Sequence, residues 1–117
     1  MAQHHGLGMM VWSPLSSGFL TGKYTRENPE PEEARLNTFD LGLFDWEWAY
    51  GVVERVKAIA DTYHTSPATV SLAWLLAKRH ASTIIVGVSK LSQLDANLDA
   101  VNLTLSPGHI AELDALT

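Results

Sequence analysis

Met9-Met10-Val11-Trp12-Ser13-Pro14 and Thr83-Ile84-Ile85-Val86-Gly87 are the two stretches on which the fold turns. Each is a short, unbroken apolar run closed by a turn-forming residue. Runs of this length without polar alternation read as strands buried on both faces, the kind that pair in parallel. A helix is the weaker reading of the first run, because it is short and a proline closes it. The second run is β-branched throughout, which favours a strand again. Segments with helical spacing lie between and after the two runs. Strands that alternate with helices imply parallel pairing and right-handed crossovers.

Working outward from the strands, Gly6 and Gly8 precede the first and suit the end of a helix, of which residues 2–5 would be the last remnant. Residues 24–44 change character: Glu27, Pro29, Glu30, Pro31, Glu32 and Glu33 make an acidic, proline-interrupted stretch without periodicity. A loop this long inside a compact domain is either functional or disordered. Helical spacing then takes over. Trp46, Ala49, Val52, Val53, Val56, Ile59, Ala60 and Tyr63 fall three and four apart, with Glu54, Arg55, Lys57 and Asp61 on the solvated side. Ser66-Pro67 starts a second helix, serine as cap and proline at the first helical position. Its residues Val70, Leu72, Ala73, Trp74, Leu75, Leu76 and Ala77 are apolar on nearly all sides, which predicts burial. Lys78, Arg79 and His80 end it, at the pole of the helix dipole that favours cations. After the second strand, residues 87–90 form a turn. A helix over 91–101 follows, with Leu94, Leu98 and Val101 predicted to face inward. Ser106-Pro107 opens a last short helix that places Ile110, Leu113 and Leu116 on one side.

Composition narrows the function. The chain has 117 residues, 46% hydrophobic and 18% charged, the make-up of a packed globular domain. A single domain over residues 1–117 can bury about two-thirds of its unfolded surface at this size. The net charge is −5, from 13 acidic and 8 basic residues. Nucleic acid and anionic membrane surfaces need a basic footprint, so neither is an expected partner. There is no cysteine, which removes disulfides, thiol nucleophiles and thiolate metal sites. No apolar run approaches the ~20 residues that span a bilayer, and no signal peptide is expected at the N-terminus. The expectation is a soluble, cytoplasmic α/β domain.

Both strands end in segments suited to an anion. Gly87 lets the chain turn, and Ser89 and Lys90 stand at a helix start, where free N–H groups and the helix dipole favour phosphate. Gln93 and Asn97 lie four apart on that helix and can face one ligand. After the first strand, Ser13 and Ser16-Ser17-Gly18 supply hydroxyls and open backbone, and Lys23 adds a cation. Ordinary loop and cap chemistry explains the same residues.

The stretch Val11-Trp12-Ser13-Pro14-Leu15-Ser16-Ser17-Gly18-Phe19-Leu20-Thr21-Gly22-Lys23-Tyr24 resembles the aldo-keto reductase family. So do Ser66-Pro67-Ala68-Thr69-Val70 leading into Leu72-Ala73-Trp74-Leu75-Leu76, and Ile85-Val86-Gly87-Val88-Ser89-Lys90-Leu91-Ser92-Gln93-Leu94 with Asn97-Leu98 behind it. Three motifs in order and in register cover nearly the whole chain. The resemblance implies a (β/α)8 barrel that binds NADP(H) at the C-terminal ends of its strands. This chain resembles only the C-terminal part, a partial TIM barrel of two parallel strands with flanking helices. The resemblance assigns Trp12 to stacking on the nicotinamide, and Ser13, Leu15, Ser17 and Lys23 to the loop that crosses the pyrophosphate. It assigns Gly87, Ser89, Gln93 and Asn97 to the adenosine 2′-phosphate and adenine. Many relatives carry an acidic residue just before the asparagine; here it is Ala96. The family's catalytic Asp, Tyr, Lys and His come from earlier strands, and no part of this chain matches those segments. No catalytic residue is therefore assigned, although Tyr24 and Tyr63 are candidates for a substitute acid.

Other readings compete at each position. Trp12 reads equally as a core residue at a strand end, and Trp46, Trp48, Tyr50 and Trp74 as packing. His4 and His5, adjacent and expected to point apart, lack a third metal ligand. Tyr63-His64 reads as helix-end chemistry, and Ser16 or Ser17 has no hydrolase spacing behind it. Residues 24–45 read as a solvated lid. Two strands leave open sheet edges, so the chain is expected to complete its barrel by oligomerising or by binding a complementary barrel fragment. Two functions follow: an NADP(H)-linked carbonyl and alcohol oxidoreductase lacking the usual tetrad, or a non-catalytic truncated relative acting as an interaction module. A clipped product without a role is a third possibility.

Overall fold

The computed structural model describes residues 1–29, 31–32 and 45–116. The first strand, β1 (Met9–Trp12), is followed by a 3-10 segment (Ser16–Thr21), then α1 (Trp46–Thr62) and α2 (Pro67–Leu76). The second strand, β2 (Ala81–Ile85), leads to α3 (Leu91–Asp99) and α4 (Pro107–Ala115). The strands pair in parallel, with Met10 opposite Thr83, Val11 opposite Ile84 and Trp12 opposite Ile85. An irregularity between Met9 and Met10 leaves Ser82 as the extra residue. Ser82 fits there because Gly8 has no side chain: a Cβ on Gly8 would lie 2.2 Å from the Ser82 hydroxyl oxygen.

Sequence and structure differ in instructive places. The second strand begins two residues before the predicted Thr83 and ends at Ile85, leaving Val86 outside it. Neither strand is buried as predicted; Met10 and Trp12 are exposed, Trp12 at 80%, which also removes its reading as a core residue. Residues 2–6 form hydrogen-bonded turns. Leu7 N–H donates to Ala2 O and Gly6 N–H to Gln3 O, the pattern that closes a helix on a glycine of positive φ. The His4 and His5 rings do not point apart but meet edge to face, with centroids 5.1 Å apart. The lid reading of residues 24–45 falls largely outside the described residues.

The core lies among the helices. Val56, Ile59 and Ala60 of α1 pack on Val70, Leu72 and Ala73 of α2, together with Ala100, Leu105 and Leu113. A second cluster joins Phe19 and Tyr24 to Ala49, Tyr50 and Val53. Three caps set the helix starts, two of them the predicted serines. Asp45 accepts from Trp48 N–H, Ser66 from Thr69 N–H and Ser106 from His109 N–H. On α3 the inward face is not the predicted one: Leu98 and Val101 are 57% and 72% exposed, and Ala100 is buried instead. The reason is a polar tie. Thr69, 1% exposed on α2, donates its hydroxyl to Ala96 O at 2.9 Å, which turns the alanine side of α3 toward α2.

Exposed ion pairs link the helices. Arg26 reaches Glu47 and Glu54 on α1, Arg55 on α1 pairs with Glu112 on α4, and Lys78 after α2 pairs with Asp114 on α4. Hydrogen bonds that Arg26 donates to Glu54 and then to Glu47 raise its guanidinium further above its ordinary range. The Lys78 ammonium, and next the Trp74 indole N–H, hold the Asp114 carboxyl below its ordinary value of 3.8.

Thr69→Val keeps the shape at α2 and removes the bond to Ala96 O. The expected loss is about 1–2 kcal/mol in denaturant unfolding, because a buried carbonyl loses its donor. An unchanged midpoint would show that the tie contributes nothing. Asp114 has a depressed native pKa, so its stabilisation is fully present above its unfolded pKa, near 3.8. That stabilisation is lost as pH falls through the lower native value. Asp114→Asn is therefore expected to flatten the acid limb of a stability-against-pH curve and leave its slope near neutrality unchanged.

Candidate functional site

Because β1 and β2 run parallel and end together at Trp12 and Ile85, the segments that leave them start from one edge of the sheet. This brings residues 13–23 and 86–97, which contain all the predicted cofactor contacts beyond Trp12, to the same side. Trp12 itself stands exposed at the strand end with its indole available to a flat partner.

The segment after β1 is strained. Ser13, Ser16 and Ser17 have φ of 54°, 49° and 57°, and Gly18 follows at 95°. Non-glycine residues rarely adopt this region, and where they do the surroundings hold them, often at functional sites. Here the holding is visible. Ser16 N–H donates to Ser13 O, and Gly18 and Leu20 N–H both donate to Leu15 O. Thr21 closes the segment by donating its hydroxyl to Gly18 O at 2.6 Å. The Lys23 side chain lies across Gly18; a Cβ there would stand 3.3 Å from Lys23 Nζ. Lys23 Nζ also lies 5.8 Å from the Tyr24 ring centroid. Ser17, Gly18 and Lys23 thus form one surface. Leu15 does not join it through its side chain, which packs toward the helical core. Only its backbone carbonyl serves the loop.

The segment after β2 is built differently. Gly87 meets no atom within 4 Å of an added Cβ, so the chain there is open to a ligand. The N–H groups of Ser89 and Lys90 converge on one acceptor, Gln93 Oε1, at 2.9 and 3.2 Å, and the Ser89 hydroxyl joins at 3.3 Å. Three donors focused on a single oxygen at a helix start are the donor set that an anionic oxygen requires. Gln93 does not extend beside Asn97 toward a shared ligand, as its spacing suggests; it folds back and caps its own helix. Asn97 remains half-buried on α3.

The candidate acids do not reach this edge. Tyr24 is 1% exposed and stacks on Phe19. Tyr63, the residue that closes α1, accepts from Ser106 N–H at 2.8 Å and shares a 2.7 Å bond with His109 Nδ1. Its hydroxyl staples α1 to α4. Sequence reasoning missed this staple, whose partners lie more than forty residues away, and the role of Thr21, whose partner Gly18 is only three residues back. Among the described residues no group of three or more His, Asp or Glu side chains could hold a metal ion. No described helix is long and apolar enough to cross a membrane.

The family model of the aldo/keto reductase family matches residues 1–117. The chain belongs to this family. It is 34% identical over 124 residues to a Schizosaccharomyces pombe protein provisionally named a voltage-gated potassium channel subunit beta, covering 99% of this chain and 36% of that protein. It is 32% identical over 119 residues to L-glyceraldehyde 3-phosphate reductase of Escherichia coli O157:H7, covering 96% of this chain and 34% of the enzyme. The fold matches a thermostable aldo-keto reductase solved with the inhibitor epalrestat, with a TM-score of 0.66 at 22% identity. That match covers 99% of this chain and 32% of the other. The aldo-keto reductase chain thus spans about a third of the length of the curated relatives it matches.

If Gln93 Oε1 holds a place that an anion can take, removing it should expose the donors. In Gln93→Ala, inorganic phosphate is expected to shift the Ser89 and Lys90 amide resonances at lower concentration than in the wild type. Equal responses would show that the glutamine does not compete.

Proposed function

We propose that this aldo-keto reductase chain binds NADP(H) along the edge where β1 and β2 end, as part of a carbonyl and alcohol oxidoreductase. The observation that carries the reading is the convergence of Ser89 N–H, Lys90 N–H and the Ser89 hydroxyl on one oxygen position, on the same edge as an exposed tryptophan. Gly87, Ser89, Gln93 and Asn97 would take the adenosine 2′-phosphate and adenine. Ser13, Leu15, Ser17 and Lys23 would follow the pyrophosphate, Leu15 through its backbone and Lys23 through its charge. Trp12 would stack on the nicotinamide, which when bound supplies a hydride to a carbonyl carbon. The exposure of Trp12, the open space beside Gly87 and the position of Lys23 over Gly18 all fit that cofactor.

In this reading the chain's own residues bind and orient; they do not move the proton. The tetrad that the resemblance places on earlier strands has no counterpart here. A hydride transfer without a positioned acid loses both proton delivery and charge stabilisation. Tyr24 is sequestered and the Tyr63 hydroxyl is engaged, which favours the second reading, a non-catalytic binding or interaction module, for this chain by itself. In both readings the protein works in the cytoplasm, and neither involves nucleic acid or a membrane. The other exposed strand side chains, Met9, Met10 and Ile85, call for a cover, supplied by a second copy of the chain or by a complementary barrel fragment.

NADPH is expected to quench tryptophan fluorescence saturably, with the quench lost in Trp12→Ala and the affinity lowered at least tenfold in Lys23→Ala. An NADPH titration with no saturation would overturn the cofactor reading. With NADPH and a reactive aldehyde, binding without turnover is expected, and turnover would return the chain to the enzyme class. Light scattering of the chain is expected to show a mass above the 12.8 kDa of one copy. A monodisperse monomer would sink self-association.

A further inference from the structure

The 3-10 segment, α1, α2 and α4 line a half-open cavity of about 160 Å³; Pro14 and Ser16 of the segment after β1 border it, but Trp12 and the other residues assigned to the cofactor do not. Phe19, Val52, Trp48, Trp74, Leu113 and Leu116 make most of its wall. Three polar groups of that wall are engaged elsewhere. The Trp48 indole N–H donates to Leu116 O at 3.0 Å, and the Trp74 indole N–H to Asp114 Oδ1 at 2.7 Å. The Ser71 hydroxyl turns away onto Pro67 O at 2.9 Å. Ser16 adds one further hydroxyl to the lining. Both indoles are therefore anchored to α4 by their nitrogens, with their ring surfaces left to line the space. Lys78 Nζ lies 4.4 Å from the centroid of the Trp74 ring, which adds to that indole's fixing.

Such a wall gives little to a hydrogen-bonding ligand and much to an apolar one. The pocket is open on one side, so a ligand there displaces water that this wall satisfies poorly, and the volume is close to that of apolar cavities, roughly 150 Å³, that take up single aromatic rings. We propose that this cavity is a binding site for a small uncharged apolar ligand, a monocyclic aromatic hydrocarbon or an alkyl chain of similar volume. The ligand lies between the two anchored indoles, and α4 forms one side of the site. Occupancy adds contact across α1, α2 and α4.

Toluene is the probe, and the four indole N–H resonances of the isotope-labelled full chain are the readout. Saturable shifts of the Trp48 and Trp74 signals are expected below the solubility limit of toluene, with the Trp12 signal unmoved. Benzoate, the same ring carrying a charge, is expected to leave all four signals in place. Val52→Phe, which fills the cavity, is expected to abolish the toluene response. The proposal is overturned by a response that stays linear, by equal movement of Trp12, or by benzoate acting as toluene does. Shifts of Trp48 and Trp74 that follow protein concentration instead of toluene would also overturn it, by assigning the cavity to a second copy of the chain. Failure here is separable from failure of the cofactor reading, because NADPH reports on Trp12 and toluene on Trp48 and Trp74.

Discussion

Two strands paired in parallel cannot be joined by a tight turn, and most of this chain is a consequence of that restriction. The path from the end of β1 back to the start of β2 must recross the length of the sheet, and α1 and α2 make that return. The helices then supply the core that a two-stranded sheet cannot. Val70 and Leu72 on α2 sit against Val56 and Ile59 on α1, and α3 and α4 close the remaining sides. The same restriction places both strand ends, and hence both candidate ligand segments, on one edge. Fold and site share a single cause.

Much of this was legible in the residues. The serine–proline pairs at 66–67 and 106–107 announce helix starts through chemistry that acts within three residues, and both caps form as written. The stripe on α1 is legible because its period is sustained over the whole helix. What stayed hidden depends on partners distant in sequence. Met10 and Trp12 lie exposed while Ile84 on the partner strand meets the helical core, and no local pattern tells these positions apart. The face of α3 was misread because leucines at 94 and 98 look inward by composition, whereas the hydroxyl of Thr69 decides the matter from another helix. The left-handed backbone at Ser13, Ser16 and Ser17 was equally invisible, since serine gives no sign of positive φ as glycine does. Of the site, the residue identities were readable and their conformations were not. Gln93 has the expected position and a different task.

Helix α4 connects these parts more than its length of nine residues suggests. Its first turn receives the Tyr63 hydroxyl, and its last turn accepts both indole N–H groups and the Lys78 ammonium. These directional polar contacts at its two ends stand beside an apolar face on which Leu113 is buried and Ile110 and Leu116 pack on the core. Movement at its C-terminal end would reach the cavity wall directly.

The pairing of Gly8 with Ser82 bears on how the strands find their alignment. An apolar run such as Met9–Trp12 has no alternation to tell one face from the other, so sliding it along its neighbour by one step costs little in side-chain pattern. The close approach at Ser82 removes that freedom, because only a residue without a Cβ fits there. A slip in either direction would bring Leu7 or Met9 against the same serine. The hydrogen atom in place of a side chain at position 8 therefore acts as a keyway, admitting one alignment of the two strands and rejecting its neighbours.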